Sequence, residues 1–100
     1  MPEWTFLSKH ALVLSYIAHD PRITARELAN AVGITERATR KIIADLLETG
    51  YITKKREGRR NRYRVNPDLD LRHPIHAETA VGDLLEALGW KRPGKAAKTH

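Results

Sequence analysis

Between Lys54 and Arg64 the chain reads KKREGRRNRYR, seven cationic side chains against the single carboxylate of Glu57. Charges this dense repel one another unless a polyanion neutralises them. The chemistry they suit is phosphate binding, with Lys54, Lys55, Arg56, Arg59, Arg60, Arg62 and Arg64 as charged donors and Asn61 as a neutral one. A second set lies upstream. In TERATRKIIADLLE, Arg37, Arg40 and Lys41 are spaced to share one face of a helix. Arginine on such a face can bond guanine O6 and N7 in a major groove. Each set alone has a plainer reading. A basic run can be a solvated loop, and a charged helix face can be a solvated surface supported by Glu36 and Asp45.

Other chemistries are poorly supplied. Ser8, Ser15 and the five histidines form no nucleophile, base and orienter pattern, and no glycine-rich phosphate loop occurs, so no enzyme is expected. His73 and His76, with Asp70 nearby, have a spacing that some metal sites use. Pro74 between them precludes a regular helix and no third ligand is fixed, so neither a metal nor another cofactor is expected. His10 reads as a hydrogen-bonded, partly buried histidine. With no cysteine there is no disulfide framework, thiolate metal site or cysteine nucleophile. No apolar run approaches the roughly 18 residues of a membrane span, and MPEWTFLSKH lacks the apolar stretch of a signal peptide. A soluble cytoplasmic protein with no membrane partner is expected.

The placement of charge sharpens this. Residues 1–53 carry six positive and six negative side chains, and residues 65–90 set Arg72 against five acids. The net charge of +6 for all 100 residues equals that of residues 54–64 alone. One hundred residues suit a single compact unit.

The elements that must position these groups are legible in order. Ser8 is placed to cap a first helix with Ala11, Leu14, Ile17 and Ala18 inward, and Asp20-Pro21 stops it. Arg22-Ile23 reads as a short extended link. Thr24 and Glu27 have capping-box spacing and open a second helix with Leu28, Ala29 and Val32 inward, ended by Gly33. Thr35 caps a third helix running to about Thr49, with Gly50 closing it. Ala38, Thr39, Ile42, Ile43, Leu46 and Leu47 form its apolar face, with Arg37, Arg40, Lys41 and Ala44 opposite. Two helices joined by a short glycine turn are the helix-turn-helix signature. Tyr51-Ile52-Thr53 then starts a β-hairpin with its tip at Glu57-Gly58-Arg59-Arg60-Asn61, and Asn66-Pro67 ends it. Tyr63 and Val65 face the helices, and Arg62 and Arg64 point away. The basic run is thus a hairpin directly after a candidate recognition helix, where phosphate contacts would orient that helix.

The run from Leu28-Ala29 through Val32-Gly33-Ile34-Thr35, then Glu36 to Leu46 and Gly50-Tyr51-Ile52, resembles the helix-turn-helix of MarR-like bacterial and archaeal transcription regulators. It is most similar to short members with WTFL and HALVL at 4–14, EGRRNRYRV at 57–65 and LRHP at 71–74. The resemblance covers about residues 4–90. It implies a winged-helix fold, dimerisation and sequence-specific repression or activation. Thr39 stands where such sequences usually carry valine. It falls on the buried side, where its hydroxyl can bond the Thr35 carbonyl. Length is a larger departure: full-size relatives have extra flanking helices around a ligand pocket, so the resemblance leaves any small-molecule effector open.

The fold expected is mainly α with a small β-hairpin, an α+β winged helix-turn-helix (1–66) followed by a connector and C-terminal dimerisation helix (67–90). Residues 91–100 read as a basic, disordered tail. Val81, Leu84, Leu85 and Leu88 repeat at helical spacing between a cap at Thr79 and a stop at Gly89. A helix this short needs a sink for its stripe. Two sinks are open, the outer side of the first helix with Trp4 and Phe6 in the same chain or those surfaces in a second chain, and the partner chain is the one expected. The function expected is sequence-specific binding of double-stranded DNA by a homodimer, Thr35, Arg37, Arg40 and Lys41 in the major groove and residues 54–64 on the backbone or in the minor groove. The alternative is a winged-helix module for RNA or a protein partner. RNA binding more often needs exposed aromatics for stacking, whereas Trp4, Phe6, Tyr16 and Tyr63 read as packing residues.

Overall fold

The computed structural model describes residues 4–93. Helices α1 (Lys9–His19), α2 (Ala25–Val32) and α3 (Glu36–Glu48) lead into an antiparallel hairpin of β1 (Ile52–Glu57) and β2 (Arg60–Val65). A 3₁₀ turn (Pro74–His76) and a last helix, α4 (Val81–Ala87), follow. This is a winged-helix arrangement of the α+β class.

The caps act as the sequence requires. Ser8 Oγ accepts from the Ala11 amide at 3.1 Å, and Thr35 Oγ1 from that of Ala38 at 3.0 Å. At α2 the box closes both ways: Thr24 Oγ1 accepts from the Glu27 amide at 3.1 Å, and Glu27 Oε1 from the Thr24 amide at 2.9 Å. Three helices end alike. Gly33, Gly50 and Gly89 have positive φ, and the amide of each following residue reaches back five residues: Ile34 to Ala29, Tyr51 to Leu46, Trp90 to Leu85. In this termination the apolar residue after the glycine folds back on the helix, which seats Tyr51 and Trp90 in the core.

Val13, Leu14 and Ile17 of α1, Leu28 of α2, Ile42, Ile43 and Leu46 of α3, and Ile52 and Tyr63 of the hairpin form one buried cluster. Val13, which the spacing argument omits, is fully buried. Thr39 is buried as expected, and its hydroxyl donates to the Thr35 carbonyl at 2.9 Å. Ala38, by contrast, is exposed, because the apolar stripe of α3 is narrower than the sequence suggests. Arg22-Ile23 is not an extended link. Pro21 and Arg22 form a turn closed by the Ile23 amide on the Asp20 carbonyl at 3.0 Å.

The largest departure is downstream of residue 66. The connector folds back, the Leu71 amide on the Thr79 carbonyl at 2.9 Å and that of Val81 on Leu69 at 2.7 Å. Helix α4 thereby packs on its own chain: Val81 is 3% exposed, Leu85 is 1%, and both join the main core with Trp90. These two side chains have no surface left for a partner, which corrects their assignment to a dimer interface. Thr79 is not the cap; Ala80 holds that position without a side-chain bond. The start of the expected tail is also ordered in place: Arg92 lies among Asp68, Asp83 and Glu86, 2.9 Å from Glu86. The rest of the tail expectation, residues 94–100, lies outside the described residues.

Candidate nucleic-acid interface

Helix α3 presents Arg37, Arg40, Lys41 and Ala44 to solvent, opposite the face that carries Ile42, Ile43 and Leu46 into the core. Arg40 Nη2 donates to Glu36 Oε2 at 3.3 Å, one turn back, and Arg26 of α2 approaches the same carboxylate at 3.9 Å. Lys41 Nζ donates to Asp45 Oδ1 at 3.2 Å, and the other Asp45 oxygen bonds His10 Nε2 at 2.8 Å. The His10 hydrogen bond, with that of Lys41 second, holds the Asp45 carboxyl below its ordinary range. Arg37 pairs with no carboxylate among the described residues. Thr35 is exposed, but its hydroxyl is committed to the cap.

The hairpin divides the basic run. Lys54 lies opposite Tyr63, Lys55 opposite Arg62, Arg56 opposite Asn61 and Glu57 opposite Arg60. Directly opposed residues point to the same face. Lys54, Arg56 and Asn61 therefore share the face of buried Tyr63, whereas Lys55, Arg62 and Arg64 lie on the other. The loop is only Gly58-Arg59, with Gly58 at φ 62 and no positive φ at Arg59, as in a type II′ turn. The tip is thus shorter than the five residues expected, and Arg60 and Asn61 belong to β2. Arg56 Nε donates to the Gly58 carbonyl at 2.9 Å across the turn.

Between α3 and the hairpin lies an open cleft of about 430 Å³. Arg40 and Ala44 line it from α3, Arg26 from α2, and Lys54, Arg59, Arg60 and Asn61 from the hairpin. The structure thus brings Arg40 of the first cationic set together with Lys54, Arg59 and Arg60 of the second, whereas Arg37, Lys41, Lys55, Arg56, Arg62 and Arg64 do not line this cleft. Tyr63 is the one aromatic residue lining this cleft, and it is buried.

The sequence reasoning missed Arg26. It lies at the second position of α2, and only the packing of α2 on α3 brings it within 3.9 Å of Glu36. The same reasoning also missed what holds the hairpin. The Tyr63 amide donates to the Pro21 carbonyl at 2.8 Å, Arg60 Nη1 donates to the Arg22 carbonyl at 3.0 Å, and Arg22 lies 3.9 Å from Glu57.

Away from the cleft, the aromatic expectation needs correcting. Trp4 is 66% exposed, Phe6 92% and Tyr16 40%. Trp4 and Phe6 pack edge to face on each other at 5.1 Å, with neither buried. Near the base of α1 an apolar groove of about 520 Å³ runs between Ala11, Leu14, Leu71, Leu84 and Leu88. The His73 ring accepts from the Ile75 amide at 3.2 Å, capping the 3₁₀ turn, and no group of three metal-ligating side chains occurs among the described residues. Among them too, no helix is long and apolar enough to cross a membrane.

Residues 9–53, just under half the chain, match the family model of winged helix-turn-helix DNA-binding domains. No curated protein matches the sequence. Among solved structures, a MarR protein from Peptoclostridium difficile is similar with a TM-score of 0.58 at 20% identity, over 81% of this chain and 47% of its own. MepR, a transcription regulator of the Staphylococcus aureus multidrug efflux pump MepA, gives 0.57 at 12% identity over 81% and 56%. The PcaV transcriptional regulator from Streptomyces coelicolor, solved with its natural ligand, gives 0.52 at 25% identity over 64% and 47%. The chain spans about half the length of these regulators.

Proposed function

Since the chain carries a winged helix-turn-helix DNA-binding domain with the MarR-like fold, we propose that it is a transcriptional regulator acting on a specific double-stranded DNA sequence in the cytoplasm. The observation that carries this is the shared cleft, in which α3 and the hairpin present cations to one occupant. Arg37, Arg40 and Lys41 enter the major groove, and Arg40 exchanges Glu36 for a base edge. Lys54, Arg59 and Asn61 meet the adjoining backbone. The cations on the other hairpin face, Lys55, Arg62 and Arg64, favour a wing set between two phosphate strands over one lying along a single strand. A like-charged pair directly opposed across a hairpin, as Lys55 and Arg62 are, is unfavourable until an anion approaches.

The regulator acts as a homodimer. Half-buried Leu84 and exposed Leu88, Trp4 and Phe6 are apolar surface that the chain's own core does not use, with Tyr16 and Ile75 also exposed, and one recognition helix reads too few base pairs alone. Selection from random duplexes tests the reading. The expected result is an enriched inverted repeat with half-sites about 10 base pairs apart. Failure to enrich any duplex, with preference for single-stranded RNA, would overturn it.

A further inference from the structure

By strand alternation Arg60 belongs with Arg62 and Arg64, and the sequence groups all three as phosphate donors. Its guanidinium is occupied differently. At the tip it turns toward the corner where α1 passes into α2: Nη1 donates to the Arg22 carbonyl at 3.0 Å and Nη2 lies 3.8 Å from Glu27 Oε2. That carboxylate is itself fixed, because its other oxygen accepts from the Thr24 amide. Arg22 reaches the opposite way, toward Glu57 at the end of β1.

The mechanical need is clear from the burial. An isolated two-stranded hairpin is marginal in water, and here its apolar anchors, Ile52, Tyr63 and Val65, lie at the base. From Lys54 to Arg56 every β1 residue is exposed, so apolar packing does not set the direction of the tip. Two points tie β2 to the corner, the Tyr63 amide on Pro21 and the Arg60 guanidinium on Arg22 and Glu27. A charge-assisted hydrogen bond from a planar guanidinium, with an ion pair beside it, suits such a fixed join.

We infer that Arg60 is a positioning residue, which latches the wing to the corner formed by residues 21–27 and so sets the wing against α3, instead of binding phosphate. The latch itself stands on the geometry, and its consequence for DNA rests on the function proposed above. Arg59, beside it at the tip, has no such partner among the described residues and takes the phosphate role.

Two measurements test this. The first needs no DNA. In R60A, amide hydrogen exchange at Tyr63 should rise about fivefold or more while the amides of Val13 and Ile17 in α1 keep their protection. E27Q retains an acceptor for Thr24 and removes the anion, so it should raise exchange at Tyr63 to a smaller extent; it also carries the test should R60A fail to fold. The second compares salt dependence of binding to duplex DNA. R59A should lower the slope of log K against log salt by about 1, whereas R60A should weaken binding with the slope unchanged. Unaltered exchange at Tyr63 in both R60A and E27Q, or a loss of slope in R60A equal to that in R59A, overturns the latch. A wild-type chain that binds no duplex would defeat the DNA reading and leave the exchange result to judge the latch by itself.

Discussion

Glu36 holds an unusual place for an acid, at the first position of the helix proposed to enter DNA, with Arg40 and Arg26 both turned toward it. An acid there is favoured by the helix dipole, and it pairs with Arg40 at 3.3 Å, the contact that a base edge is proposed to replace. Replacing Arg40 with alanine should therefore cost about 1–3 kcal/mol on the preferred sequence and less on random duplex, measured by titration at fixed salt. Equal losses on both would place Arg40 on the backbone. Two other carboxyls couple the fold to pH. Glu27 is held below its ordinary range first by the Thr24 amide and further by the Thr24 hydroxyl and Arg60, and Asp45 by His10 and then Lys41. A carboxyl lowered in the folded state contributes stability above its unfolded pKa and loses it as pH falls through the folded value. Stability should accordingly drop on acidification below about pH 4. Glu27→Gln should be less stable than wild type at pH 7 and less sensitive to acid. Denaturation midpoints at pH 7, 4 and 3 check this, and parallel curves for the two proteins would contradict it.

Among the elements, α4 depends on its close approach to the residue that ends the wing. The Gly82 amide donates to the Pro67 carbonyl at 2.9 Å, and a Cβ at Gly82 would stand 2.5 Å from the Pro67 ring and against the Arg92 guanidinium. Backbone and proline cannot yield there as a flexible side chain would. Gly82→Ala should destabilise the fold by about 1–3 kcal/mol through overpacking, despite the better helix propensity of alanine. A neutral or stabilising result in urea unfolding would mean that α4 is not seated on Pro67. Arg92 closes the same corner: it is largely buried among three acids, and it joins the end of α4 to the start of the connector.

For the whole molecule, the question is what covers Trp4, Phe6, Leu84 and Leu88. Because Val81 and Leu85 already serve the chain's own core, a test of association must leave them intact. Leu84→Glu with Leu88→Glu should convert a dimer to a folded monomer in sedimentation at tens of micromolar. An intact protein that is monomeric there, or a double variant that remains dimeric, would exclude this surface as the interface. Loss of the dimer should also weaken binding to an inverted repeat far more than binding to a single half-site, since two linked recognition helices act together.

Local chemistry determined a good part of this protein from sequence alone. The caps at Ser8, Thr24 and Thr35, the stops at Gly33 and Gly50, and the buried Thr39 follow from hydrogen-bonding rules that operate within five residues, so a linear reading finds them. The division of α3 into a cationic and an apolar face was legible for the same reason, helical periodicity being a local property. Tertiary structure decided what depends on contacts between distant segments. Whether the stripe of α4 meets its own chain or another could not be read from residues 81–88, because a stripe states that burial is needed and not where. The connector's return to Leu69 and Leu71, together with the Gly89-Trp90 termination, gave Val81 and Leu85 an internal sink and left Leu84 half-buried and Leu88 exposed. Arg60 shows the same limit at a single side chain. Its charge and strand parity match those of Arg62, and only the twist that carries the hairpin tip over the Arg22 carbonyl separates them, since a guanidinium bonds whichever acceptor the fold brings within 3 Å.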